Sequence, residues 1–207
     1  MTSSAESTTL VGTLASRGDS SPLIRAGAVL FVTALTAAAA QISVALPFTQ
    51  VPFTFQPMVV LLGGLALGPR LGLASQLLYL LAGIAGLPVF AASATLPPGA
   101  LRLLGPTGGY LLSYPIAAFL TGYLAERGFD RRYVTSVLAM LAGLLVVYAC
   151  GATWLGVFAR TGASGPIDLQ AALAAGVYPF VVADLVKVLA AAGILPGFWS
   201  LLGNSRR

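Results

Sequence analysis

The stretch that decides the fold runs from Val134 to Phe158 and reads VTSVLAMLAGLLVVYACGATWLGVF. It contains no charged residue. A helix needs roughly 20 apolar residues to cross the hydrocarbon core of a bilayer, and this stretch is longer than that. It therefore predicts a transmembrane helix.

The composition extends this prediction to the whole chain. Of its 207 residues, 57% are hydrophobic and only 8% are charged, and the mean hydropathy is +0.91. Soluble domains carry roughly 25% charged residues, because most of their surface faces water. We therefore predict an all-α, polytopic membrane bundle of six transmembrane helices, with lipid around most of it.

Five further apolar segments support this count. They run from about Leu23 to Leu46, Pro57 to Leu67, Leu71 to Ile84, Gly108 to Ala125 and Leu169 to Leu202. The second and third segments of the bundle are short for a full crossing, so we predict tilted or partly broken helices separated by residues 68–72 (GPRLG). Residues 23–203 form the predicted membrane domain, and residues 1–22, rich in Ser and Thr, a disordered cytoplasmic tail.

The charged residues indicate the orientation. Six crossings leave only Arg102 and Arg160 on one side. The other side holds both termini and Arg17, Arg25, Arg70, Arg127, Arg131, Arg132, Arg206 and Arg207. Cytoplasmic loops are enriched in Lys and Arg. We predict a multi-pass plasma-membrane protein with both termini in the cytoplasm.

Two of the predicted outer connections are unusual. Residues 47–56 (PFTQVPFTFQ) carry two prolines and alternating aromatics, which disfavour a helix and predict an extended lid or wall. The connection formed by residues 85–107 is long and rich in Gly and Pro. Irregular backbone at membrane depth is tolerated where protein covers it or where it lines a wet cavity, so we predict a cavity that opens outward.

Small residues recur at a spacing of four. Ala34 and Ala38 lie in the first segment, and Gly64 and Gly68 in the second. This spacing lets helices approach closely in lipid. The sequence leaves open whether these residues pack within the bundle or dock a partner subunit.

Asp184 and Lys187 form the only charged pair inside the apolar segments, in YPFVVADLVK (residues 178–187). Helical spacing places them on one face with Phe180. A charge near the bilayer centre costs about 2.5–3.5 kcal/mol and usually faces a cavity and a partner, whereas an exposed helical pair returns only about 0.2–0.5 kcal/mol. The pair is either a packing device or, as we favour, a contact for a small polar head group. Pro179 is expected to kink the helix one turn earlier.

Other side chains are candidates for the same pocket. Arg102 could bind a ligand carboxylate bidentately, or it could be a solvated loop residue. Tyr79, Tyr110, Phe90 and Trp154 could supply apolar walls, although aromatics also belong at membrane interfaces.

Catalytic, metal and nucleic-acid functions fit poorly. The chain has no histidine and a single cysteine, Cys150, which excludes a CxxC redox pair and any site of several Cys or His ligands. The GASG string at 162–165 lacks the histidine base that a serine nucleophile needs, and GPTGG at 105–109 lacks the lysine of a phosphate-binding loop. The sequence shows no basic groove of the kind that binds nucleic acid. We predict no catalytic residue, metal or cofactor, and ATP hydrolysis only in a partner.

Several motifs together resemble the BioY family, the biotin-specific substrate-binding (S) components of energy-coupling-factor (ECF) transporters. They are PFTQVPFTFQ at 47–56, LGPRLG at 67–72, GLPVF at 86–90, LGPTGGYL at 104–111 and YPF with DLVK at 178–187. They occur in the family's order across roughly residues 28–195. Residues 91–98 (AASATLPP) replace the glycine-rich segment that is typical after GLPVF.

The resemblance implies a six-helix S component that captures biotin from outside the cell. It further implies docking, through Ala34 and Ala38, to a transmembrane T component with two ABC-type ATPases. The family's Asp and Lys on the last helix meet the biotin head group, which carries over to Asp184 and Lys187. The predicted substrate site is completed by Arg102, Tyr178, Phe90, Tyr79 and Gln56. Two alternatives stay open: an S component for another vitamin, and a stand-alone, ion-coupled secondary transporter.

Overall fold

The computed structural model of the protein describes residues 9–15, 21–92, 98–157 and 168–204, and these are mostly helical. The helices are α1 (Leu10–Ala15), α2 (Ser21–Gln41), α3 (Gln56–Leu67), α4 (Pro69–Ile84), α5 (Gly108–Ala125), α6 (Tyr133–Val157), α7 (Leu169–Gly176), α8 (Tyr178–Ala191) and α9 (Ile194–Asn204). A 3₁₀ helix spans Ala100–Leu104. Two strands, β1 (Ser43–Val44) and β2 (Phe53–Thr54), pair antiparallel between α2 and α3.

The predicted helical bundle is confirmed, with one addition. The segment predicted to be an extended wall contains β2, which closes a hairpin in which Ser43 pairs with Thr54 and Val44 with Phe53, and its last residue, Gln56, already begins α3. Helix α5 spans Gly108–Ala125, which are the bounds predicted for that apolar segment. The break between α3 and α4 is narrower than predicted, because Gly68 alone, at φ +84°, ends one helix and Pro69 begins the next.

Helix α5 lies at the centre of the bundle and packs against α3, α4 and α6. Its approach to α3 and α4 is close enough to require glycine. A Cβ on Gly64 would lie 2.5 Å from the Ala118 carbonyl oxygen, and a Cβ on Gly122 would lie 2.3 Å from the Gly68 carbonyl carbon. The small residues of α3 therefore pack within the bundle, which is how helices associate where lipid removes the hydrophobic driving force.

Much of the outer surface is apolar. Leu145 on α6 is 69% exposed and Val182 on α8 is 73% exposed. Three described stretches are long and apolar enough to cross a membrane, namely Ser21–Gln41, Tyr133–Val157 and Tyr178–Leu202. Helix α3 has 12 residues, about 18 Å at 1.5 Å per residue, and is too short to cross alone. The count of six crossings stays a prediction.

Pro179 lies in the first turn of a helix and does not kink one. The last apolar segment divides into α7, α8 and α9, and the first break falls at Val177, between α7 and α8. Proline lies in the first turn of α8, where its missing N–H leaves no intrahelical bond unmade. The expected interruption is therefore present, but as a complete helix boundary.

One end of the bundle gathers the segments that were predicted to be cytoplasmic. Thr9, which precedes α1, lies against Gly68, and the Glu126 carboxylate at the end of α5 also approaches this glycine. The Trp199 indole of α9 donates a hydrogen bond of 2.7 Å to Asp130, between α5 and α6. Burial raises the pKa of the Asp130 carboxyl, against this hydrogen bond and the nearby Arg131 guanidinium, which lower it.

Helix α1 lies inside the predicted tail. Val11 and Ala15 are buried, and Val11 packs with Val32 of α2 and Leu67 of α3. The prediction of disorder for residues 1–22 did not anticipate this helix. Residues 1–8 and 16–20, Arg160, the GASG string at 162–165, most of the third outer connection and the last two arginines lie outside the described residues.

Candidate functional site

A cavity of about 320 Å³ lies at the opposite end of the bundle, between the β1–β2 hairpin and helices α5, α6 and α8. We call it the hairpin cavity. Its walls come from the irregular segments that the sequence singled out, including Thr49–Pro52 of the hairpin loop, Phe90–Ala92 and Pro106–Thr107. Sites for small ligands start at about 300 Å³, so the cavity suits a small molecule.

Asp184 and Lys187 both line this cavity, one turn apart on α8. They are 5% and 7% exposed. The Lys187 ammonium donates to Asp184 Oδ1 at 2.7 Å. The predicted pair is therefore a buried ion pair that also faces open space, so geometry alone permits both the packing and the binding reading.

The Lys187 ammonium is already fully engaged. Besides Asp184, it donates to the backbone carbonyl of Thr54 at 2.7 Å. Its nitrogen also lies 3.6 Å from the centroid of the Phe53 ring, within cation–π range. An ammonium has three N–H donors, so two carbonyl or carboxylate oxygens and one ring face account for all three. Lys187 thus anchors β2 of the hairpin to α8.

Asp184 retains acceptor capacity. The Tyr148 hydroxyl of α6 donates to Asp184 Oδ2 at 2.6 Å, while Lys187 occupies Oδ1. A carboxylate has about four acceptor sites. The two hydrogen bonds recorded among the described residues leave one site on each oxygen, and these can accept donors from the cavity.

Arg102 also lines the cavity, from the 3₁₀ helix. It is 9% exposed, and its Nε has no hydrogen-bond partner among the described residues. Desolvation lowers the pKa of the Arg102 guanidinium, with a smaller opposing effect from Tyr79. An arginine guanidinium is effectively always protonated in proteins, so the group stays charged. A buried cation with an unmet donor can bind an anion.

Gln56 and Phe90 line the cavity, and Tyr79 supports them from behind. Tyr79 is fully buried, its hydroxyl accepts from Gln56 Nε2 at 2.6 Å, and it donates to the Val89 carbonyl at 3.2 Å. Its ring meets Phe90 edge to face, with centroids 5.4 Å apart. Tyr79 therefore lies behind the cavity wall, and its contact with a ligand stays a prediction.

Tyr178 lies outside the cavity. Its side chain is 62% exposed, and it is not among the lining residues. The reason is helical phase: at about 100° per residue, position 178 is turned about 200° from Phe180, which faces inward. The structure therefore does not bring this predicted contact to the cavity.

The boundary between α7 and α8 is stabilised by Tyr110 of α5. Its hydroxyl donates to the Gly176 carbonyl at 2.8 Å, and Tyr110 and Gly176 both line the cavity. A Cβ on Gly151 would lie 2.2 Å from the Tyr110 ring. A helix end at membrane depth must have its carbonyls satisfied by protein or by water in a cavity, and Tyr110 meets part of this need.

Tyr148 and Thr54 are two site residues that the sequence analysis did not assign, whereas Tyr110 was a predicted wall residue and does line the cavity. A signal for Tyr148 existed, because a hydroxyl inside an uncharged apolar segment usually finds a partner when buried. A backbone carbonyl such as that of Thr54 carries no signature in the sequence.

Among the described residues, the charged ones that line the cavity are two cations, Arg102 and Lys187, and one carboxylate, Asp184. They leave one net positive charge, which complements a ligand with a single carboxylate. The rest of the lining is largely apolar or uncharged, with Phe90, Leu111, Val147 and Phe180 among the apolar residues. The cavity therefore suits an anion with an apolar body and a hydrogen-bonding head.

The predicted docking residues lie elsewhere. Ala34 and Ala38 are both exposed on the outer face of α2, on the opposite side from Val32 and Thr36, which are buried. These two alanines are therefore not packed against another described helix of the bundle.

Comparisons with known proteins identify relatives of this chain. The model of the BioY family matches residues 14–204. The probable biotin transporter BioY of Pyrococcus horikoshii is 44% identical over 162 residues, which cover 78% of this chain and 87% of that protein. The biotin transporter BioY of Thermotoga maritima is 38% identical over 82% of this chain and 90% of its own length.

A solved structure shares the fold. It is the S component for biotin from an ECF-type ABC transporter, determined at 2.1 Å. The TM-score is 0.77 at 24% sequence identity, and the match covers 88% of this chain and 94% of that one.

Proposed function

The chain belongs to the BioY family, and from this premise we propose that it is a membrane protein that binds biotin and takes part in its uptake. The observation that carries the proposal is the charge arrangement of the hairpin cavity. Arg102, Lys187 and Asp184 leave one net positive charge in a largely apolar lining.

Biotin has the matching chemistry. Its ureido ring offers two N–H donors and a carbonyl oxygen, its bicyclic body and chain are apolar, and its chain ends in a carboxylate. Asp184 would accept the ring N–H donors, and Arg102 would pair with the carboxylate. For the ring carbonyl to reach Lys187, it would have to replace Thr54 or the Phe53 ring at the ammonium.

The proposed arrangement in the membrane is six crossings by residues 23–203, with both termini in the cytoplasm. It is supported by the gathering of α1, the α3–α4 break, the α5–α6 connection and α9 at one end of the bundle. The hairpin cavity at the other end would then open outward, so that the protein captures biotin from outside the cell at the plasma membrane.

The proposed partners are a transmembrane T component and two ABC-type ATPases of an ECF module. The shared fold with a solved ECF S component supports this. Ala34 and Ala38 are exposed on α2 and would form the docking face. In this role the chain does no covalent chemistry, and ATP is hydrolysed by the partners.

Biotin binding can be tested with the purified chain in detergent, without any ATPase subunit. Equilibrium binding of radiolabelled biotin should be saturable and displaced by unlabelled biotin, but not by riboflavin or thiamine. Saturable binding of another vitamin in place of biotin would redirect the assignment. Absence of binding to any of these ligands would refute the proposal.

Uptake by cells tests the partners separately. The ECF assignment predicts that uptake by cells expressing the chain rises when the ATPase module is coexpressed. That rise should disappear when the ATPases carry a substitution that abolishes ATP hydrolysis. Uptake that needs no module and collapses with a protonophore would instead indicate an ion-coupled secondary transporter.

A further inference from the structure

We propose that Tyr148 is a positioning residue that fixes the orientation of the Asp184 carboxylate and thereby selects ligands whose ring carries two N–H donors. The inference rests on the proposed biotin binding and deepens it. It assigns a specificity role to a residue of α6, whereas the family's head-group pair lies on the last helix.

The two oxygens of Asp184 are held from different helices. Lys187, on the same helix, donates to Oδ1, and Tyr148, from α6, donates to Oδ2. A carboxylate held at one oxygen can still turn about its Cβ–Cγ bond, because that torsion is soft. A donor on each oxygen removes this freedom and fixes the carboxylate plane.

With the plane fixed, the remaining acceptor sites lie on two adjacent oxygens of a group that lines the cavity. The two N–H bonds of a cyclic urea point the same way from one ring edge, so they fit two adjacent oxygens as a parallel pair. Bidentate pairs of this kind add geometric specificity as well as energy. A ring with a single N–H would use only one of the two sites.

Tyr148 is the donor on which this selectivity depends. Lys187 is also held by Thr54 and Phe53, so it stays in place if the tyrosine hydroxyl is removed. Asp184 Oδ2 would then lose the partner recorded for it and could rotate or take a water molecule. Removing the Tyr148 hydroxyl is therefore expected to cost both the fixed orientation of the Asp184 carboxylate and affinity for biotin.

The chain offers a matched control in Tyr110. Its hydroxyl also lies in the cavity wall and makes one hydrogen bond of similar length, but to the Gly176 carbonyl. Tyr110→Phe therefore removes the same atom from the same cavity without touching Asp184.

The test compares biotin with biotin methylated on one ring nitrogen, by equilibrium binding to the wild type, Y148F and Y110F. We expect Y148F to weaken biotin binding about tenfold, as for a lost hydrogen bond to a charged group. The ratio of biotin affinity to that of the methylated analogue should fall by a similar factor. In Y110F the ratio should stay at the wild-type value.

A double-variant comparison separates this role from a purely structural one. In an Asp184→Asn background, Y148F should change biotin affinity less than threefold, because the group through which Tyr148 acts is altered. If Y148F does not fold, 3-fluorotyrosine in place of Tyr148 keeps the hydroxyl donor at the same position and should retain the wild-type preference. An unchanged ratio in Y148F, an equal fall in Y110F, or loss of preference in the folded fluorotyrosine variant would overturn the inference. Wild-type biotin binding would be unaffected by any of these results, so the proposed function is tested apart from this inference.

Discussion

Replacing Lys187 with Met should destabilise the fold strongly, because it leaves the Asp184 carboxylate buried without its cation. Asp184 is 5% exposed, and Lys187 lies 2.7 Å from it. Breaking a buried ion pair by removing one partner costs about 3–5 kcal/mol of unfolding free energy. The anchor to the Thr54 carbonyl is lost in the same variant.

The double variant Asp184→Asn with Lys187→Met should recover most of that loss. No uncompensated charge is left, so the remaining cost is that of the lost hydrogen bonds, roughly 1–2 kcal/mol. The two single substitutions should therefore be far from additive, as expected for residues in contact. The double variant would be a folded protein that lacks the charged pair.

The assay is reversible unfolding in mixed micelles titrated with SDS and followed by circular dichroism. Arg70→Met is the matched control, because this arginine is exposed at the start of α4, and it should change the stability by no more than about 0.5 kcal/mol. A Lys187→Met variant as stable as Arg70→Met would refute the reasoning. So would a double variant as unstable as the sum of the two single ones.

Two further predictions concern other walls of the cavity. In equilibrium binding, Arg102→Gln should weaken the affinity for biotin tenfold or more, which is the cost of a lost charge-assisted hydrogen bond. It should change the affinity for the uncharged biotin amide less than threefold. Equal losses of affinity for the two ligands would exclude a contact between Arg102 and the biotin carboxylate. Gly151→Ala should lower the thermal unfolding temperature, because the new Cβ would meet the Tyr110 ring. The control Gly27→Ala should leave that temperature unchanged, because nothing lies within 4 Å of a Cβ at this position. Equal unfolding temperatures for the two variants would contradict the packing argument.

The residues that were predicted well from the sequence are those whose own chemistry or backbone conformation is energetically demanding. Asp184 and Lys187 stood out because charge inside an apolar segment is expensive, and the structure brings both to one cavity. Gly68 and Pro69 marked a helix boundary because their backbone requirements are strict. Such requirements are properties of single residues, so no knowledge of the fold was needed.

The residues that were missed or misplaced depend on long-range geometry. Tyr148 and Asp184 lie 36 positions apart, and Lys187 and Thr54 lie 133 apart. No local pattern reports such contacts. Tyr178 is a different case, because helical phase relative to Phe180 already argued against an inward orientation. Burial answers part of the question about the small residues, since Gly64 packs against α5 while Ala34 and Ala38 are exposed. Docking through Ala34 and Ala38 stays a prediction.

The central claim is that the cavity binds biotin through Asp184. The most direct measurement is equilibrium biotin binding by the purified wild type and by the double variant Asp184→Asn with Lys187→Met, after both are shown to be folded. We predict saturable binding by the wild type and a loss of roughly a hundredfold or more in the variant, from hydrogen bonds to a charged group. Wild-type affinity in the folded double variant would contradict the account.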